Sequence, residues 1–297
     1  MSNIKGIIVP IVTPMNADES VNYTELRNQI DRMIAGGIHG IFVFGTNGEG
    51  YILSEAEKEK ILSISIEQVA GRVPVYAGTG CVSTSDTIRL SKKAEKLGAD
   101  VLSVITPSFA AASQYELIQH YTKVAKSVSL PVILYNIPAR TGNSLQPATV
   151  RKLSEITNIV GVKDSSGNFD NILQYIENTR HRPDFNVLSG NDSLILWTLI
   201  AGGKGGIAGC ANVFPENMSA IYNRFIAGDI DGARKAQDAI RPFRNCFKFG
   251  NPNTVVKTAV SLLGYPVGKC RAPFNGLSEE GIRAIKDALK DFYGKEF

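Results

Sequence analysis

The chain is poor in the residues that build covalent staples and metal centres. Its 297 residues include four cysteines, three histidines and one tryptophan. Cys81, Cys210, Cys246 and Cys270 lie far apart and form no Cys-x-x-Cys pair, which argues against a zinc site or a disulfide framework and fits reduced thiols in a cytoplasm. No metal and no cofactor is expected. An excess of one charge is also missing: 32 basic residues are scattered among 28 acidic ones, for a net charge of +4. With no run of like sign, neither a nucleic-acid footprint nor a membrane-binding face is indicated. Long apolar runs are absent as well. The stretch 6–12 is too short for a membrane span and has no small-residue cleavage site behind it, so it reads as a first strand. There is no low-complexity segment and no linker. What remains is an ordinary globular composition, 43% hydrophobic, long enough to bury a large core.

Eight short apolar runs recur along the chain, at 6–12, 40–44, 73–77, 100–105, 131–135, 159–162, 185–188 and 206–209. Each precedes a segment with helical spacing of apolar residues, such as Leu26, Ile30, Met33 and Ile34. Runs without alternation suit parallel strands covered on both faces. Glycines at Gly36-Gly37 and Gly98 fit helix C-caps, Ser54 followed by Glu57 fits a capping box, and Asp192 is expected to cap the helix opened by Ser193. Eight equal units in about 225 residues match a (β/α)8 TIM barrel better than an open doubly wound sheet. The expected organisation is a catalytic barrel over residues 1–225 and a helical extension over 226–297, packed on the barrel. Three helices are expected in that extension, at 230–247, 253–263 and 278–293.

In such a barrel the C-terminal ends of the strands carry the chemistry. Lys163 stands at such an end on the sixth strand, after Ile159-Val160-Gly161-Val162 and before Asp164-Ser165-Ser166-Gly167. Lysine is rarely buried, and desolvation disfavours its ammonium form, so an amine held there suits nucleophilic attack on a carbonyl. By position alone it also fits a lysine that snorkels into solvent. Tyr135 ends the neighbouring fifth strand, where a phenol can relay protons or simply pack by its ring. Gly45-Thr46-Asn47-Gly48-Glu49 follows the second strand, and its amides with the Thr46 hydroxyl can meet a carboxylate, although a plain turn is the default. Arg140 can take a second carboxylate bidentately or remain solvated. The glycines of Gly202-Gly203-Lys204-Gly205-Gly206 precede the last strand and end a helix more simply than they bind phosphate. His39, His120 and His181 lie away from strand ends and receive no catalytic role.

Together, Gly45-Thr46-Asn47-Gly48-Glu49, Tyr135-Asn136-Ile137-Pro138-Ala139-Arg140-Thr141-Gly142 and Gly161-Val162-Lys163-Asp164-Ser165-Ser166-Gly167 resemble the dihydrodipicolinate synthase / N-acetylneuraminate lyase family of class I aldolase-like enzymes. The likeness extends over essentially the whole chain, including Gly190-Asn191-Asp192 and Arg271-Ala272-Pro273-Phe274 before Leu277-Ser278-Glu279-Glu280. It implies a metal-free lyase in which Lys163 forms a Schiff base with pyruvate or another 2-oxo acid and Tyr135 shuttles protons. Thr46 with the Asn47 and Gly48 loop would hold the pyruvate carboxylate, while Gly190 and the Ile207 carbonyl would line the imine pocket.

Arg140 favours the synthase branch, which condenses pyruvate with aspartate semialdehyde. Asn47 departs from that pattern, replacing a second threonine. Phe109 departs too, standing where the family usually carries a tyrosine that enters the neighbouring subunit's site. Glu55, Lys58 and Val82 replace two histidines and an asparagine of lysine-inhibited relatives, so feedback by lysine is not expected. An aldolase or dehydratase acting on 2-keto-3-deoxy sugar acids is the alternative within the family, and a non-catalytic small-molecule-binding barrel is the alternative outside it. The resemblance further implies a homotetramer built as a dimer of dimers.

Overall fold

A computed structural model describes residues 4–297. Eight parallel strands, β1 (Gly6–Pro10), β2 (Gly40–Val43), β3 (Val75–Gly78), β4 (Val101–Ile105), β5 (Val132–Asn136), β6 (Ile159–Asp164), β7 (Asn186–Ser189) and β8 (Gly205–Ile207), close on themselves in chain order. The expected TIM barrel is therefore the observed fold. The strand runs are apolar throughout because both of their faces are covered. Ile8, Phe42, Tyr76, Val101, Ile133, Leu188 and Ile207 form one cluster, a plug inside the barrel. The opposite strand faces join the helices in a second, larger core. Closure between β8 and β1 explains the glycine-rich approach to the last strand. Gly205 has φ +148°, and a Cβ there would lie 2.0 Å from the Gly6 carbonyl oxygen, so no side chain fits.

The helix Glu55–Val69 opens with the expected capping box: the Glu57 N–H donates to Ser54 Oγ and the Ser54 N–H donates to Glu57 Oε2. Gly98 ends its helix in the left-handed region, at φ +98°. Two local expectations are corrected. Asn191 rather than Asp192 caps the turn after β7, its Oδ1 accepting from the Ser193 N–H at 3.1 Å. Asp192 is instead buried, accepting from the Cys210 N–H at 3.3 Å and pairing with Arg244 at 3.3 Å. The helix expected over 230–247 is split into Ile230–Ala239, Arg241–Asn245 and a 3-10 turn at Cys246–Phe249. Pro242 lies at the break, where its missing N–H and its ring interrupt the ladder.

The last two helices, Pro252–Leu262 and Glu279–Tyr293, frame a connection that returns to the barrel, where the Met15 N–H donates to the Val267 carbonyl at 3.0 Å. This connection reaches the mouth of the barrel at the C-terminal ends of the strands. Among the described residues, no helix is long and apolar enough to cross a membrane.

Candidate active site

The site is built where β5 and β6 run side by side. Tyr135 pairs with Lys163 and Asn136 with Asp164 in the parallel register, and paired residues in neighbouring strands project to the same face. Since Ile133 belongs to the barrel plug, Tyr135 two residues later points the same way, and Lys163 follows it. Lys163 is 4% exposed, which excludes the snorkelling arrangement. Its Nζ lies 3.8 Å from the Tyr135 ring centroid and 5.4 Å from that of Phe42. Tyr135 Oη and Thr46 Oγ1 are 3.3 Å apart. Burial pushes the Tyr135 phenol up; the adjacent Lys163 charge, helped by the Thr46 contact, outweighs it and leaves the phenol below its ordinary value. A phenol so placed gives up its proton more readily.

Tyr135 opens onto a cavity of about 460 Å³, while Lys163 lies behind the phenol and does not line it. Thr46, Tyr135, Arg140 and Phe274 line it, along with Lys58 and Cys81 on the side of β2 and β3. Two cations face it and no carboxylate does, a polarity suited to anionic substrates. Arg140 is exposed at the rim, with Nη1 donating to Asn251 Oδ1 at 3.1 Å. Lys58 has no ion pair among the described residues, and burial pushes its ammonium down. No cluster of histidine, cysteine or carboxylate side chains able to hold a metal occurs among the described residues.

The structure brings Lys163, Tyr135, Thr46 and Gly190 together. A Cβ at Gly190 would fall 2.8 Å from Lys163 Cε and 1.9 Å from Ser165 Oγ, so only glycine leaves the lysine its space. Asn47, Gly48, Ile207 and Phe109 do not line this cavity. Asn47 is turned away from the cavity: its Nδ2 would lie 2.5 Å from a Cβ on Gly209. Gly48 is held by its carbonyl, which accepts from Thr13 Oγ1 at 2.7 Å. Ile207 projects its side chain into the barrel plug. Phe109 is fully exposed at 101%, with φ +79°, and does not line the cavity of its own chain.

Three supports were not evident from residue type. Asp164, the next residue on β6, projects to the opposite face, its oxygens accepting from Asn136 Nδ2 at 2.7 Å, Asn171 Nδ2 at 2.9 Å and Ser166 Oγ at 2.5 Å. Burial raises its carboxyl and these donors oppose the rise. Glu49, at the end of the Thr46 loop, forms a buried ion pair with Lys257 at 2.6 Å, the two side chains 0% and 1% exposed. The second Glu49 oxygen accepts from the Arg271 N–H at 2.8 Å, and Lys257 also donates to the Lys269 carbonyl at 2.9 Å. Ser165, two residues beyond the lysine, is the third. A lysine in the apolar helical run Val255-Val256-Lys257-Thr258-Ala259-Val260 was the available signal for the ion pair.

The histidines take local roles. His39 bridges the Ile7 N–H and Asn223, His120 contacts Thr84 at 2.9 Å, and His181 contacts Ser154 at 3.3 Å.

Comparison with known proteins places nearly the whole chain in one family. The model of the Dihydrodipicolinate synthetase family covers residues 3–292. A 4-hydroxy-tetrahydrodipicolinate synthase of Methanopyrus kandleri is 39% identical, with 97% of this chain and 96% of the relative covered. Among solved structures, dihydrodipicolinate synthase of Thermotoga maritima superposes with a TM-score of 0.95 at 31% identity, covering 98% and 99% of the two chains. YagE, an E. coli K12 prophage protein of the dihydrodipicolinic acid synthase family solved in complex with pyruvate, gives 0.94 at 32% identity, covering 98% and 99%.

Proposed function

The chain belongs to the dihydrodipicolinate synthetase family, and on that premise we propose that it is a lyase in which Lys163 forms an imine with pyruvate and joins it to aspartate semialdehyde, as a 4-hydroxy-tetrahydrodipicolinate synthase. The observation that carries the reading is a lysine buried against a phenol of lowered pKa, the phenol itself lining a cavity with two cations and no carboxylate.

The Lys163 amine attacks the keto carbon, the carbonyl pair moves to oxygen, and loss of water leaves a protonated imine. That imine withdraws the electron pair of the neighbouring C–H bond, giving an enamine that attacks the aldehyde carbon. Tyr135, with Thr46 behind it, supplies and removes the protons. The Thr46 hydroxyl and the Asn47 and Gly48 backbone hold the pyruvate carboxylate, Gly190 and the Ile207 carbonyl border the imine, and Arg140 receives the carboxylate of the aldehyde. Tyr135→Phe should lower kcat by roughly 10²- to 10⁴-fold, the range for a positioned acid-base group, with a smaller change in KM. Steady-state rates with pyruvate varied measure it; a kcat within a few-fold of wild type would remove Tyr135 from proton transfer.

A 2-keto-3-deoxy sugar-acid aldolase or dehydratase is the second reading, favoured by Phe109. The exposed ring on a left-handed backbone suits burial in a neighbouring copy; the homotetramer, a dimer of dimers, is proposed on the family membership. A phenylalanine brings no hydroxyl to the neighbouring site. Phe109→Tyr should therefore raise the condensation rate by about 10-fold or more if that hydroxyl limits it. The substrate is decided by comparing condensation of pyruvate and aspartate semialdehyde with cleavage or dehydration of 2-keto-3-deoxy acids. Condensation at background, with turnover of a sugar acid, would establish the second reading. A non-catalytic binding barrel would have no use for Lys163 buried against Tyr135. All four cysteines are free, which suits the reducing cytoplasm in which we place the enzyme.

A further inference from the structure

We propose that Ser165 is a proton-transfer residue of this reaction, its hydroxyl moving protons between Tyr135 and the atoms of the imine on Lys163; the proposal rests on the Schiff-base reading above. Ser165 directly follows β6, and its N–H donates to the Asn136 carbonyl on β5 at 2.8 Å. That bond fixes the residue beside the Tyr135–Lys163 pair instead of releasing it into the loop that follows.

Its Oγ is buried and, among the described residues, meets no partner at full hydrogen-bond geometry, although it approaches the Tyr135 phenol closely enough to bear on it. A buried hydroxyl left unpaired costs about 1–3 kcal/mol, and such groups are rare enough to require a reason. Four other side chains share the condition: Ser65, Ser103, His120 and Thr198. Only Ser165 shares the space of the lysine. The point where a Cβ of Gly190 would fall is 1.9 Å from Ser165 Oγ and 2.8 Å from Lys163 Cε. The missing side chain at 190 thus leaves one pocket bordered by the lysine stem and by a hydroxyl with free donor and acceptor capacity. The Ser165 hydroxyl is also among the groups that hold the Tyr135 phenol down, after the Lys163 charge and the Thr46 contact. Tyr135 accordingly has a hydroxyl on each side: Thr46 toward the β2 loop and Ser165 toward β6.

A hydroxyl in this place can take a proton on one lone pair while releasing its own, so it carries protons with no net change. When the Lys163 nitrogen bonds to the keto carbon, that nitrogen loses a proton and the carbonyl oxygen, which has taken the C–O π pair, gains one. A second proton on that oxygen lets it leave as water with the C–O bonding pair. In the next step the methyl carbon gives up a proton, and the C–H pair becomes the enamine double bond. Each transfer runs between an imine atom and Tyr135, and Ser165 lies beside both.

The test measures exchange of the pyruvate methyl hydrogens with deuterium oxide by NMR, a reaction that needs the imine and its deprotonation but no aldehyde. Ser165→Ala is expected to slow exchange roughly 10²-fold, as loss of a positioned acid-base group does. The yield of pyruvate trapped on Lys163 by borohydride at long incubation should stay at the wild-type level, and Ser165→Thr, which keeps the hydroxyl, should restore exchange to within a few-fold. Unchanged exchange in Ser165→Ala with full trapping would overturn this proposal alone. Parallel loss of exchange and trapping would overturn it as well, by showing that the serine only shapes the lysine pocket. No adduct in the wild type would overturn the Schiff-base reading and this proposal with it.

Discussion

Lys163→Met is expected to cut turnover on the order of 10⁴-fold or more, the scale seen when a covalent nucleophile is removed, while the melting temperature stays level or rises. The two effects have one origin. Lys163 is 4% exposed between Tyr135, Phe42 and the Gly190 backbone, and no carboxylate within salt-bridge distance compensates its charge among the described residues. Methionine has a similar length and no charge, so it fills the same space without the desolvation penalty. What disappears is the nitrogen that must bond to the keto carbon. The phenol should report the change as well. The Lys163 charge is the largest influence opposing the upward push of burial on Tyr135, so without it the Tyr135 titration, followed by ultraviolet absorbance, should move up. A variant that keeps activity, or a phenol that does not move, would contradict the pairing of these two groups.

Lys257→Met should destabilise the fold by about 3–5 kcal/mol, because removing one partner of a buried ion pair strands the other charge. Glu49 would be left with the Arg271 N–H and no cation, at zero exposure. The consequence reaches the site through the backbone. Phe44 and Glu49 bracket the Thr46 loop at φ +66° and +55°, conformations that cost of order 1–3 kcal/mol each for residues other than glycine. They persist because the loop is tied down at Glu49 and at Gly48. Chemical denaturation of the variant gives the stability loss. Its kinetics should show KM for pyruvate rising, since Thr46 loses its support, with the trapped adduct still forming at saturating pyruvate. Lys257→Met together with Glu49→Leu, which removes both charges, should recover most of the stability. Failure of the double variant to recover would mean that the loop depends on something other than the pair.

The eight strands were legible because a doubly covered parallel strand has to be apolar along its length, and those runs are bounded by helix-ending glycines and capping serines. Lys163 and Tyr135 were legible for the converse reason, as polar groups at the ends of such runs. Local signals misled where two side chains compete for one role. Asn191 has the shorter reach to the Ser193 N–H and takes the cap, freeing Asp192 for Cys210 and Arg244. Pro242 carried the information that splits 230–247, and the apolar spacing on either side of it outweighed that signal. The Glu49–Lys257 pair was out of reach because its members are 208 residues apart and meet only once the C-terminal helices return to the barrel mouth. Ser165 is visible in the sequence only as one residue of a motif. Its significance depends on a glycine from β7 and a phenol from β5, neither adjacent in sequence. Asn47 and Ile207 belong to the same loop and strand as the site, yet their side chains point away from the cavity and leave only backbone groups to serve it.

Whether Lys163 forms an imine with a 2-oxo acid can be read by mass spectrometry after borohydride reduction. Incubated with pyruvate and reduced, the wild type should gain the mass of one carboxyethyl group per chain, on the peptide containing Lys163, and Lys163→Met should gain none. A wild type that gains no mass, or one that carries the group on another lysine, would contradict the account.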